Sequence, residues 1–180
     1  GINAAAVAYS DRLPTYIRIT DISDDVCYAP VSTVSVAHPD ATHYYLNKGE
    51  LVFARTGASV GKSYLYNPRD GRLVFAGFLI RIRPDSSRLI PAFLSKFAQT
   101  SYYWNWVKQM SMRSGQPVIN GNEFAHLPMF CPPVVEQTAI ATLLFDMDTE
   151  LAALESKLTK ARHLKQGMMQ QLLTGRIRLV

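Results

Sequence analysis

The sequence predicts an α+β protein: a globular domain of short strands and helices over residues 1–133, then a long coiled-coil helix within residues 134–180. Three observations carry that reading. Period-two alternation, bounded by Gly, Pro, Asn and Asp, recurs through the first half of the chain. Helical spacing replaces it from Pro91, and a heptad of apolar residues runs on from Met147. The chain has 180 residues, 48% hydrophobic and 18% charged, which suffices for one cored domain with an appendage.

The strands come first. Residues 16–20 alternate, placing Ile17 and Ile19 on one face and Arg18 and Thr20 on the other. Residues 31–36 alternate again before Pro39-Asp40. Lys48-Gly49-Glu50 reads as a turn into an apolar strand over residues 51–54. A polar, glycine-containing loop follows over residues 55–63, then a strand at residues 64–66 and a turn at residues 67–71. Residues 73–83 read as one further strand, ended by Pro84.

Helices follow. Pro91 suits a first helical turn, with Phe93, Leu94 and Phe97 at helical spacing. Ser101 is the predicted cap of a second helix carrying Tyr103, Trp106, Val107 and Met110 on one side. The run Tyr102-Tyr103-Trp104-Asn105-Trp106 is expected to turn about half of its rings into the core. Pro132-Pro133 marks a boundary, and helix is predicted from there to Thr174 with Gly175 as its C-cap. Met147, Leu151, Leu154, Leu158, Ala161, Lys165, Met168 and Leu172 alternate by four and three. Such a stripe is too narrow for a domain core and suits a seam with a partner helix, Lys165 setting the register.

Charge is unevenly spread. Residues 1–47 carry a net −3, residues 48–113 a net +8, and residues 114–180 balance. A concentrated basic face is the electrostatic footprint of a nucleic-acid binder. Cys27 and Cys131 form no CxxC pair, so a reduced cytoplasmic setting is expected. The opening residues lack a basic and then apolar leader pattern, so no signal peptide is expected, and no run is long enough to span a membrane.

Enzyme signatures fail one by one. Gly57 to Ser63 has three residues between its glycines where a phosphate loop needs four, and strand rather than helix follows. Glu155-Ser156-Lys157 has the letters of a nuclease pair but lies in the heptad helix. His38, His43, His126 and His163 lack metal-ligand spacing. Neither a nucleophile elbow nor a dinucleotide fingerprint is present, and no metal or cofactor is expected.

Five segments in order resemble the target recognition domain of type I restriction–modification specificity subunits. They are residues 16–21; Lys48-Gly49-Glu50-Leu51-Val52-Phe53-Ala54-Arg55-Thr56-Gly57-Ala58-Ser59-Val60-Gly61-Lys62; Phe75-Ala76-Gly77-Phe78-Leu79-Ile80-Arg81-Ile82-Arg83-Pro84; residues 127–141; and residues 165–175. The resemblance implies a non-catalytic subunit that reads one part of a bipartite target in double-stranded DNA. It also implies methyltransferase subunits and an endonuclease/translocase subunit as partners. The family's usual chain has two recognition domains and two antiparallel spacer helices, preceded by a strand and helix not found before Gly1. A single domain and helix fit a half subunit that pairs with a copy of itself, the second half of a longer chain, or a shortened one.

Base contacts vary with target in such domains, so candidates rest on side-chain chemistry. They are Arg18, Thr20, Arg55, Thr56, Ser59, Lys62, Ser63, Arg113, Ser114, Gln116 and Asn120, with Arg81 and Arg83 as phosphate contacts. Arg pairs bidentately with guanine, and Asn or Gln with adenine. The competing reading is a coiled-coil assembly adaptor with only incidental nucleic-acid binding.

Overall fold

The computed structural model describes residues 1–112 and 117–179, which divide into two compact units, residues 1–138 and residues 139–180. In the first unit, β1 (Val7–Ala8), β3 (Val34–Ser35), β2 (Thr15–Ile17) and β6 (Leu73–Phe75) form one sheet in that order. β2 and β6 run parallel, and the other pairs are antiparallel. A second sheet has β4 (Leu51–Ala54) between β5 (Ser63–Leu65) and β7 (Leu79–Ile82), antiparallel to both. Helices α1 (Pro91–Phe97), α2 (Ser101–Ser111) and α3 (Gly121–Ala125) follow.

Three apolar layers hold these elements. Ile17, Leu73 and Phe75 of the first sheet pack with Val52, Ala54, Tyr64 and Leu79 of the second. Leu51 and Phe53, on the opposite face of β4, pack with Leu94, Tyr103, Val107 and Phe124 of the helices. Tyr16, Val36 and Val74 cover the outer face of the first sheet with Ile2 and Ala41. β4 is thus covered on both faces, which is why its sequence is an unbroken apolar run.

The strand expected over residues 16–20 stops at Ile17, because a 3-10 turn spans Ile19–Asp21. The buried Asp21 carboxylate causes it, accepting from the Arg18 backbone N–H at 2.8 Å and from both Nε and Nη2 of the guanidinium. The strand expected over residues 73–83 is two strands in different sheets. A turn closed by Leu79 N–H to Ala76 C=O at 2.9 Å separates them, and the Gly77 N–H donates to Ile2 C=O at 2.6 Å. Apolar runs buried on both sides hide such a break from periodicity. Of residues 31–36 only Val34–Ser35 pair, leaving Val31 wholly exposed. Thr100, one residue before the predicted Ser101, caps α2 by accepting from Tyr103 N–H at 3.2 Å.

A tight hairpin, closed by Ser23 N–H to Cys27 C=O at 3.0 Å, carries Val26 at φ +55°. A β-branched residue in the left-handed region stores strain of about 1–3 kcal/mol. Val26→Gly is expected to stabilise the fold by about 1 kcal/mol, after glycine's larger chain entropy is deducted. A lower urea midpoint for that variant would show that packing of the half-buried valine outweighs the strain.

Helix α4 (Val134–Leu173) has 40 residues, some 60 Å at 1.5 Å per residue. Gly175, at φ +71°, ends it as predicted. Arg176 N–H bonds Gln171 C=O and Gly175 N–H bonds Leu172 C=O, the paired bonds of a Schellman cap. Its start is anchored within the first unit by Gln137, whose side chain is fully buried. Gln137 Oε1 accepts from Ile90 N–H at 2.8 Å, while Nε2 donates to Pro132 C=O at 2.7 Å and Arg88 C=O at 2.9 Å.

Candidate nucleic-acid interface

The loop between β4 and β5 is held on three sides. At its base, Ala54 N–H bonds Lys62 C=O at 2.8 Å and Gly61 N–H bonds Ala54 C=O at 2.9 Å. From below, the buried Tyr103 hydroxyl donates to Gly61 C=O at 2.6 Å, and burial pushes that phenol's pKa up. Gly61 has φ +88°, and a Cβ there would lie 2.7 Å from Val107 Cγ1, so glycine is needed for so close a seat on α2. Along its side, Gly57 N–H bonds Pro117 C=O, Ile119 N–H bonds Arg55 C=O, and Thr56 bridges Val118. Arg55 N–H bonds Phe78 C=O at 3.0 Å. Three segments distant in sequence therefore meet here: residues 55–63, the turn at Phe78, and residues 117–119 leading into α3.

Within the loop, Arg55, Thr56, Ser59 and Lys62 are half-buried. Arg55 Nε and Ser63 Oγ are buried without a hydrogen-bond partner among the described residues. Ser63 sits in β5 rather than in the loop, opposite Phe53. Lys62 Nζ lies 2.7 Å from Asp24 Oδ1, an ion pair absent from the sequence reading. Asn120 stands beside this cluster, but its side chain caps α3, accepting from Glu123 N–H at 3.0 Å while Glu123 bonds back to Asn120 N–H. Arg113, Ser114 and Gln116 lie outside the described residues.

The other candidates are placed elsewhere or already engaged. Arg18 forks onto Asp21, while Thr20 stays exposed beside it. Both line a groove of about 370 Å³ with Phe78, Ile19 and Asn3. Tyr28 packs nearby, and burial followed by the Asp21 charge raises its pKa to about 12. Arg81 and Arg83 converge on the buried Glu50 carboxylate, which precedes β4, whereas the loop follows it. Glu50 also accepts from Asn47 N–H at 2.9 Å, so the two arginines neutralise a structural turn. Arg81 further bonds Tyr45 C=O at 3.2 Å.

In the second unit, Met147, Leu151, Leu154, Leu158 and Met168 are each at least 50% exposed. Ala161 and Lys165 are exposed between them, and Leu172 is half-buried. Among the described residues no cluster of His, Cys, Asp and Glu could hold a metal, and no helix is long and apolar enough to cross a membrane.

A family model described as the type I restriction modification DNA specificity domain matches residues 12–161. The chain belongs to that family. A putative type I restriction enzyme specificity subunit, MjaX, of Methanocaldococcus jannaschii is 26% identical over 142 residues, covering 77% of this chain and 33% of that one. Two solved structures share the fold at 18% identity. One is from a study of complex assembly and conformational transition in the type I R-M system, with TM-score 0.67 and coverage of 92% of this chain and 43% of that one. The other is the HsdS subunit of Thermoanaerobacter tengcongensis, with TM-score 0.66 and coverage of 87% and 41%. The specificity domain described here thus spans a third of the length of its curated relative. The mixed α+β architecture with a long helix is the one the sequence predicts.

Proposed function

We propose that this specificity domain reads one half of a bipartite duplex target without catalysing any step itself. Residues 1–133 would supply the recognition surface and residues 134–180 the spacer, in an intracellular complex with methyltransferase and endonuclease/translocase subunits. The observation that carries the reading is the clamped loop at residues 55–63, set against residues 117–119, in a chain of this family. A rigid loop places Arg55, Thr56, Ser59 and Lys62 without paying ordering entropy on binding, which base readout rewards. Arg113, Ser114, Gln116 and Thr20 extend the same proposal. Arg18, Arg81, Arg83 and Asn120 belong to the same proposal, each having an intramolecular partner to leave, as Lys62 has in Asp24.

Two copies would pair through the exposed stripe of α4, Met147 to Leu172, in antiparallel register. A two-fold axis then demands inverted half-sites of one sequence separated by an unread spacer. Selection from a randomised duplex pool, with the methyltransferase subunit present, tests this. The expected product is an interrupted palindrome. Inserting seven residues into α4 keeps the seam and adds about 10 Å, so the same half-sites should return with a spacer about three base pairs longer. Unchanged spacing after the insertion would sink the spacer reading, and enrichment of no sequence at all would sink base recognition.

A further inference from the structure

We propose that the hairpin tip at Asp24 is an intramolecular phosphate mimic, which holds Lys62 closed until a duplex displaces it. The inference rests on the DNA-recognition reading and adds an attenuator to it.

The tip comes from the acidic first quarter of the chain, yet it lands on a cation of the basic middle. The Ile22–Tyr28 bridge and the Ser23–Cys27 bond put Asp24 and Asp25 at the turn, both exposed. The chain closes that turn only by holding Val26 at φ +55°, so the carboxylates are presented at the expense of local strain.

The ion pair is asymmetric. Lys62 has a side chain only 25% exposed, whereas that of Asp24 is 92% exposed. The lysine is also fixed through its backbone, its N–H bonding Ser59 C=O at 2.9 Å and its C=O accepting from Ala54 N–H at 2.8 Å. In an ordinary surface pair two mobile side chains meet in water and gain little. Here an exposed carboxylate oxygen meets the ammonium of a side chain that is three-quarters covered, the approach a backbone phosphate must make. The hydrogen bond from Lys62, and then its charge, hold the Asp24 carboxyl below its ordinary pKa, so the mimic stays ionised at neutral pH.

A consequence follows for binding. A phosphate can take Lys62 only after its pair with Asp24 breaks, so the cost of breaking it is set against every such contact. Every duplex must displace the same carboxylate, whatever its sequence. The latch therefore lowers affinity uniformly and shortens encounters, leaving base preference as it is.

The test uses the full chain and a random-sequence duplex of about 30 base pairs, titrated by fluorescence anisotropy across a salt series. Asp24→Asn keeps the shape of the tip and removes the charge. It should bind about two- to fivefold more tightly at low salt, the range of one surface ion pair. The gain should shrink as salt rises, because salt screens the competing ion pair in the wild type, so the slope of log binding constant against log salt steepens slightly. In a Lys62→Ala background the same substitution should change neither quantity.

Equal tightening with and without Lys62 would overturn the latch, because Asp24 would then act only as a repelling charge. Unchanged or weaker binding by Asp24→Asn would overturn it too, the latter by showing that the carboxylate itself contacts DNA. If the wild type binds and only the variant effect is missing, the latch alone fails. If no form of the chain binds duplex in a salt-dependent way, the DNA-recognition reading fails and the latch falls with it.

Discussion

Replacing Leu158 by aspartate is expected to turn the proposed dimer into a monomer while the fold of residues 1–138 keeps its thermal transition. Leu158 is 50% exposed in the single chain and lies mid-way along the stripe from Met147 to Leu172. Burying a leucine in a seam is worth about 1.5–3 kcal/mol, and a two-fold interface counts each substitution twice. Because the single chain already covers half of Leu158, loss of the two leucines weakens pairing by about 1.5–3 kcal/mol, at least tenfold in the dissociation constant. Two carboxylates facing each other in the seam add to that loss. Sedimentation equilibrium across a concentration series checks the result. A Leu158→Asp chain that sediments like wild type would exclude this face as the seam. A wild type that stays monomeric at high concentration would assign the stripe to a helix supplied by another chain or domain.

The second large effect is expected at Gln137. Its amide satisfies one N–H and two carbonyls at the junction of residues 88–90, 132 and α4, with the side chain fully buried. Gln137→Ala leaves the buried Pro132 carbonyl unpaired and the part-buried Ile90 N–H and Arg88 carbonyl without this partner, at about 1–3 kcal/mol for each group that water does not reach. A net loss of about 2–4 kcal/mol in unfolding free energy is the expected result, read from urea denaturation. Gln137→Glu separates the donor from the acceptor role. The carboxylate still accepts from Ile90 N–H but faces Pro132 and Arg88 carbonyls with no proton to give. Burial and that repulsion raise its folded pKa above the unfolded value. The glutamate variant should therefore lie closest to wild type at low pH and fall away as pH rises through the raised pKa. Wild-type stability in Gln137→Ala would show that water replaces the amide without loss.

Much of the fold was legible because its signals are local. The turn at Lys48-Gly49-Glu50, the apolar run of β4, Pro91 at the start of α1 and Gly175 past the end of α4 each act within a few residues. The loop at residues 55–63 was legible as a loop for the same reason, glycines and short polar side chains gathered between two strands. The break at Ala76 to Phe78 was not, because both faces of β6 are covered and the apolar run continues through the turn into β7. The short first strand failed differently, since Arg18-Ile19-Thr20 alternates as a strand should, and a buried Asp21 overrides the pattern.

The amino-acid sequence by itself determined the α+β class, the long capped helix with its heptad stripe, the basic middle of the chain and the resemblance to specificity subunits. Only the tertiary structure decided which of the described polar side chains meet a partner within the chain. Arg81 and Arg83 meet Glu50, Arg83 reaching it across 33 positions, the Asn120 side chain caps a helix, and Lys62 is met by the tip of an earlier hairpin. The physical reason is that a carboxylate neutralises whichever cation the packing brings within a few ångströms, and packing joins residues far apart in the chain. Composition counts charges, but only the fold pairs them.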